Sequence, residues 1–161
     1  MSITLYHGSP FHFDAADPSR GKSFRDFGVG FYLAENEIDS LSIAVKDSWD
    51  GYLYTYEADE ALFDDFRVLE FDGFSEEWLR FVYDNRMGAH NVPYDVVIGP
   101  TAGGSVNDIF EAARRSSTPY EDIRDLMARE ITDTRFGYQW CITNPDVMDY
   151  IVKVDEEHIT R

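Results

Sequence analysis

Gly28-Val29-Gly30-Phe31-Tyr32-Leu33-Ala34 is the stretch on which the reading of this chain turns. Two glycines precede an apolar run, which predicts a short buried strand beginning at Phe31. A dinucleotide fingerprint of the doubly wound type needs glycines after a strand and before a helix, with a third glycine in the turn. Here the order is reversed and the third glycine is missing, which excludes that arrangement. Glycines ahead of a strand either let a ligand or a second chain lie close to the backbone, or end a loop in a bulge. Both readings stay open at this point.

Upstream, residues 3–7 predict a strand that Gly8-Ser9-Pro10 ends, and residues 14–30 predict a polar, glycine-bearing loop. A loop of that length in a compact domain is often functional. Downstream, Asn36 or Asp39 caps a helix carrying Ile38, Leu41, Ile43, Ala44 and Val45 and ending near Trp49. Strands follow over residues 52–58 and 68–71. Ser75 and an acidic first turn open a helix with Trp78, Leu79, Phe81 and Val82 on its apolar face. A strand over 94–98, helices from Ser105 and from Pro119 or Tyr120, and strands over 136–143 and 150–154 complete the chain. Strands and helices do not alternate regularly. The expectation is therefore one α+β domain spanning residues 1–161.

The 161 residues carry 31 acidic and 14 basic side chains, a net charge of −17. A field of that sign repels phosphate backbones and argues against tight nucleic-acid binding. A small nucleotide is still compatible, given one local basic cluster, and Arg20, Lys22 and Arg25 supply one within six residues. A solvated basic loop is the plainer reading of those three. One cysteine, Cys141, suits a reducing cytoplasm. No secretion signal and no apolar run of about 20 residues is seen, so a cytoplasmic location away from membranes is expected. His12, His90 and His158 have no ligand spacing, and no metal is expected. Gly103-Gly104-Ser105 reads as a helix cap, lacking the lysine of a phosphate loop.

His7 ends its strand beside Gly8, where an imidazole could bond a ribose hydroxyl or serve a structural role. Tyr32 could stack on a flat ring or simply fill the core. Leu5-Tyr6-His7-Gly8-Ser9, the glycine-led strand at Tyr32, and the late Tyr138-Gln139-Trp140-Cys141-Ile142 together resemble the ADP-ribosyltransferase superfamily, in its diphtheria-toxin and poly(ADP-ribose) polymerase branch. Tyr94-Asp95-Val96-Val97-Ile98-Gly99-Pro100 also fits a bacterial family of small proteins assigned to that superfamily.

The resemblance implies a split mixed sheet with flanking helices and NAD held as a substrate. It implies that His7 bonds the adenosine-side ribose, and that Gly8 pairs with the nicotinamide carboxamide through its backbone, with Ser9 beside it. It further implies that Tyr32, following Gly30, packs on the nicotinamide, that Ser40 bonds the carboxamide, and that Arg20, Lys22 and Arg25 meet the pyrophosphate. A second stacking tyrosine of the branch would fall at Ile43, so one face of that sandwich is changed.

Gln139 stands where the branch places its catalytic glutamate. An amide accepts the ribose hydroxyl bond but carries no charge and is no general base. It leaves three readings: slower or differently assisted transfer, binding without transfer, or an acidic residue elsewhere, such as Asp133 or Asp146, doing the work. The resemblance implies an NAD-dependent ADP-ribosyltransferase acting on an intracellular macromolecule, with a small neutralising protein as partner in a toxin–antitoxin-like pair. Two alternatives compete with it. One is a binding module for NAD or ADP-ribose, and the other is an interaction domain that uses its acidic surface.

Overall fold

The computed structural model describes residues 1–21, 25–46, 50–88, 93–102, 104–130 and 137–160. The expected α+β class is observed. Among the described residues seven strands form one mixed sheet: β1 (Ser2–Ser9), β2 (Phe31–Ala34), β3 (Asp50–Asp59), β4 (Val68–Glu70), β5 (Val96–Pro100), β6 (Tyr138–Ile142) and β7 (Ile151–Thr160), in the order β4-β5-β6-β2-β1-β3-β7. Only β4 and β5 run parallel; the other neighbours are antiparallel.

The helices are α1 (Glu37–Ala44), a single turn α2 (Leu62–Asp65), α3 (Glu76–Arg86), α4 (Gly104–Ser116) and α5 (Tyr120–Glu130), with short 3-10 turns at Pro18–Arg20 and Pro145–Tyr150. Asn36 caps α1 by accepting the Ile38 N–H at 2.8 Å, and the Ser75 hydroxyl accepts the Trp78 N–H at 3.1 Å at the start of α3. Both satisfy donors that a helix start leaves without partners. The turn α2 was not expected, because four residues carry no helical period.

Strand alternation divides the core between two faces of the sheet. Leu5, Phe31, Leu33, Tyr54, Tyr56, Ile98 and Trp140 form the first cluster, under the 145–150 turn and the loop after β1. The second cluster joins Phe27, Val97 and Cys141 to the inner faces of α3, α4 and α5 through Trp78, Val82, Phe110 and Met127. Trp78 Nε1–H donates to the Pro100 carbonyl at 3.0 Å, tying α3 to the end of β5.

The sheet is uneven at its middle. β1 pairs with β3 at eight successive positions, but with β2 at Tyr6↔Ala34 alone. Beyond that bridge β1 and β2 part.

Candidate functional site

The gap between β1 and β2 is held by a side chain. His7 Nδ1 lies 2.6 Å from the Tyr32 carbonyl oxygen. A carbonyl only accepts, so Nδ1 carries the proton and donates. The ring stands 4.4 Å from Phe31 and edge-on to Phe13 at 5.5 Å. Burial lowers the His7 pKa, partly offset by the bond to Tyr32. Neutral imidazole with Nδ1 protonated leaves Nε2 as an acceptor, and no described residue donates to it.

Tyr32 points to the other face. Its register partner is Cys141, and Ala34 pairs with both Tyr6 and Gln139. Tyr6, Tyr32, Ala34, Gln139 and Cys141 therefore share one face, while His7 lies on the opposite one. This corrects the expectation of three side chains meeting over one surface. His7 and Tyr32 meet only through the Tyr32 backbone. The physical reason is the two-residue period: Tyr6, not His7, sits opposite Ala34.

Tyr32 is tied down. Its hydroxyl donates to the Gly28 carbonyl at 2.6 Å and accepts the Phe27 N–H at 3.0 Å, closing the turn before β2. Burial, with the nearby Cys141 and Asp26, raises its pKa well above the ordinary value, and it stays neutral. Burial pushes the Cys141 thiol to about 12, so it is no nucleophile.

Gly8 serves packing. A methyl group built there would overlap the Ser40 carbonyl oxygen, so only glycine lets α1 press on β1. Ser40 is buried at that contact. Gly30 also serves packing: a methyl group there would overlap Cys141 Sγ and the Ile142 carbonyl oxygen, and one on Gly21 would overlap the Gly30 backbone. The Ser9 hydroxyl donates to the Phe11 carbonyl at 2.7 Å within a turn. The side chain of Arg20 is 87% exposed and 3.8 Å from Asp17. Arg25 is exposed at the surface. Lys22 lies outside the described residues. No basic cluster forms from the two that are described. Asp133 also lies outside the described residues, and Asp146 is exposed in the 145–150 turn, with its N–H bonded to Asn144.

Gln139 has a partner that sequence reasoning missed. Its Nε2 donates to Asp26 Oδ2 at 3.0 Å. Asp26 is 6% exposed and Arg86 8%. Arg86 Nε donates to Asp26 Oδ1 at 2.7 Å, and the Ala102 N–H donates to Oδ2 at 3.2 Å. Arg86 reaches on to Glu111 at 3.2 Å and Asn107 at 2.7 Å. This buried network draws on the loop before β2, on α3, on α4 and on β6. Asp26 and Arg86 are 60 residues apart. No local pattern marks such a pair, and an arginine in a last helical turn reads as a complement to the helix dipole.

A cleft of about 620 Å³ is lined by Ser19, Gly28, Val29, Tyr94, Thr143 and Asn144, among others, and His7, Tyr32 and Gln139 do not line it. Its wall at Gly28 is fixed by the Tyr32 hydroxyl. Among the described residues no group of acidic, histidine and cysteine side chains could hold a metal ion. Also among them, no helix is long and apolar enough to cross a membrane.

The molecule is a mixed α+β protein whose sheet opens beside a neutral, hydrogen-bonded histidine. A family model described as "Protein of unknown function (DUF3990)" matches residues 3–152, and the chain belongs to that family. No curated protein matches, and no solved structure matches.

Proposed function

We propose that the chain is an NAD-dependent ADP-ribosyltransferase that takes NAD into the gap between β1 and β2. The observation that carries this reading is His7: a neutral imidazole pinned by Nδ1 at the point where the strands part, with Nε2 left to accept a hydroxyl. Gln139 adds a second acceptor through Oε1, to which no described residue donates. Two acceptors with no converging cation among the described residues suit sugar hydroxyls, which can donate, better than phosphate.

In this reading the bond between nicotinamide and the ribose anomeric carbon breaks, and its electron pair leaves on neutral nicotinamide. A nucleophile of a macromolecular acceptor bonds to that carbon and releases its proton to solvent. His7 and Gln139 orient ribose hydroxyls, and the Tyr32 ring supports the nicotinamide end. A small neutralising protein partner belongs to the same proposal.

A second reading, NAD or ADP-ribose binding without transfer, is favoured by one observation. The carboxamide of Gln139 bonds Asp26, whose charge Arg86 already balances. No free carboxylate on β6 meets the cation that forms as nicotinamide leaves. Losing such stabilisation costs about 100-fold to 1000-fold in rate. Nicotinamide release from NAD, followed by chromatography, separates the two. Transfer predicts release by wild type, with and without a macromolecular extract, and loss in His7→Ala. Binding without release supports the second reading, and neither binding nor release overturns both.

A further inference from the structure

We propose that Asp26 is a positioning residue that fixes which end of the Gln139 carboxamide faces the ligand. The inference rests on the NAD reading above and deepens it.

A glutamine carboxamide has a donor end and an acceptor end of nearly equal shape, so its orientation is set by its partners. Here the partner is a carboxylate, which only accepts. Asp26 Oδ1 is taken by Arg86, whose Nε and Nη2 both stand 2.7 Å away. Oδ2 takes the Ala102 N–H at 3.2 Å and Gln139 Nε2 at 3.0 Å. The arginine is itself held by Glu111 and Asn107 and lies over the Phe110 ring. Rotation of Asp26 would break several bonds at once. Gln139 therefore turns its NH₂ inward, and its oxygen is left on the half-buried side of β6 that Tyr32 shares.

The consequence is specificity. An outward oxygen needs a donor such as a hydroxyl, whereas an outward NH₂ bonds a hydroxyl and also an acceptor that cannot donate, such as an ether or phosphate oxygen. Asp26→Asn relaxes that selection. With its oxygen kept on Arg86, the asparagine NH₂ faces Gln139 and draws the carboxamide oxygen inward, at the cost of the Ala102 N–H bond.

The test is calorimetric titration of the full chain with NAD and with its 2′-O-methyl ether on the nicotinamide ribose, which keeps an acceptor oxygen but cannot donate. Unfolding midpoints confirm that each variant is folded. Wild type is expected to prefer NAD about tenfold, the worth of one hydrogen bond. Asp26→Asn should bind the two nearly equally. Gln139→Met, which deletes the acceptor and leaves the Asp26–Arg86 pair intact, should do the same and serves where Asp26→Asn does not fold. A folded variant that keeps the tenfold preference overturns the positioning role. So does wild type that binds NAD without any preference, while the NAD reading survives. Wild type that binds neither compound overturns the NAD reading, and this inference with it.

Discussion

The two faces of the sheet bury polar groups in opposite ways. On the His7 face one imidazole sits among Phe13, Phe31 and Tyr54, kept neutral by burial and satisfied by one carbonyl. On the Gln139 face a full charge pair, Asp26 and Arg86, is buried under a hydrogen-bond network drawn from α3, α4, β6, the loop before β2 and the Ala102 backbone. The first solution is local and leaves a ring nitrogen free. The second is distributed and spends nearly every donor internally. The difference teaches where ligand-binding capacity survives: beside the neutral group, and at the one amide oxygen the network leaves over.

The comparison breaks most visibly at Arg86. Arg86→Met leaves the buried Asp26 without its counter-charge and should cost about 3–5 kcal/mol. Denaturant titration checks this, and a loss under 1 kcal/mol would mean that the pair is hydrated rather than buried. Next comes the seam between α1 and β1. Gly8→Ala forces a methyl into the Ser40 carbonyl and should cost about 1–3 kcal/mol, read from the thermal midpoint.

The faces also differ in pH response. The folded pKa of His7 lies below its ordinary value, so the unfolded chain binds the proton first. His7 stability is fully present above the ordinary value of 6.5 and is lost as pH falls from there toward the folded pKa. The slope is at most about 1.4 kcal/mol per pH unit. The difference between wild type and His7→Gln in denaturation from pH 7.5 to 5 should carry that slope; a flat difference would refute the buried neutral ring. Smallest is Tyr32→Phe, which frees the Gly28 carbonyl and Phe27 N–H at about 0.5–1.5 kcal/mol, again by denaturation.

Much of the fold could be read from local pattern. The strand after Gly30, the capped α1, the amphipathic α3 and the strand at Val96 all follow from hydrophobic period and capping residues. β7 runs to Thr160, well past the expected 154, because it lies along nearly the whole of β3 and is held by pairing rather than by an apolar pattern. The site was only half legible. His7 and Tyr32 stand out by their glycine contexts, though β1 runs on through Gly8 to Ser9 and does not end at His7, and their facing depends on the β1–β2 register, which no single strand encodes. Gln139 was marked by its position in the late strand. Its partner was not, because Asp26 lies in a polar loop and the ion pair it makes is closed only by the tertiary fold. Gly8 reads in the sequence as a ligand contact, whereas the close approach it permits is to helix α1.

The most direct test of the central claim is a crystal structure of the protein with NAD. The account predicts the dinucleotide between β1 and β2, a ribose hydroxyl within hydrogen-bond distance of His7 Nε2, and a second against Gln139 Oε1. NAD bound elsewhere with the His7 ring untouched, or no NAD at saturating concentration, would contradict it.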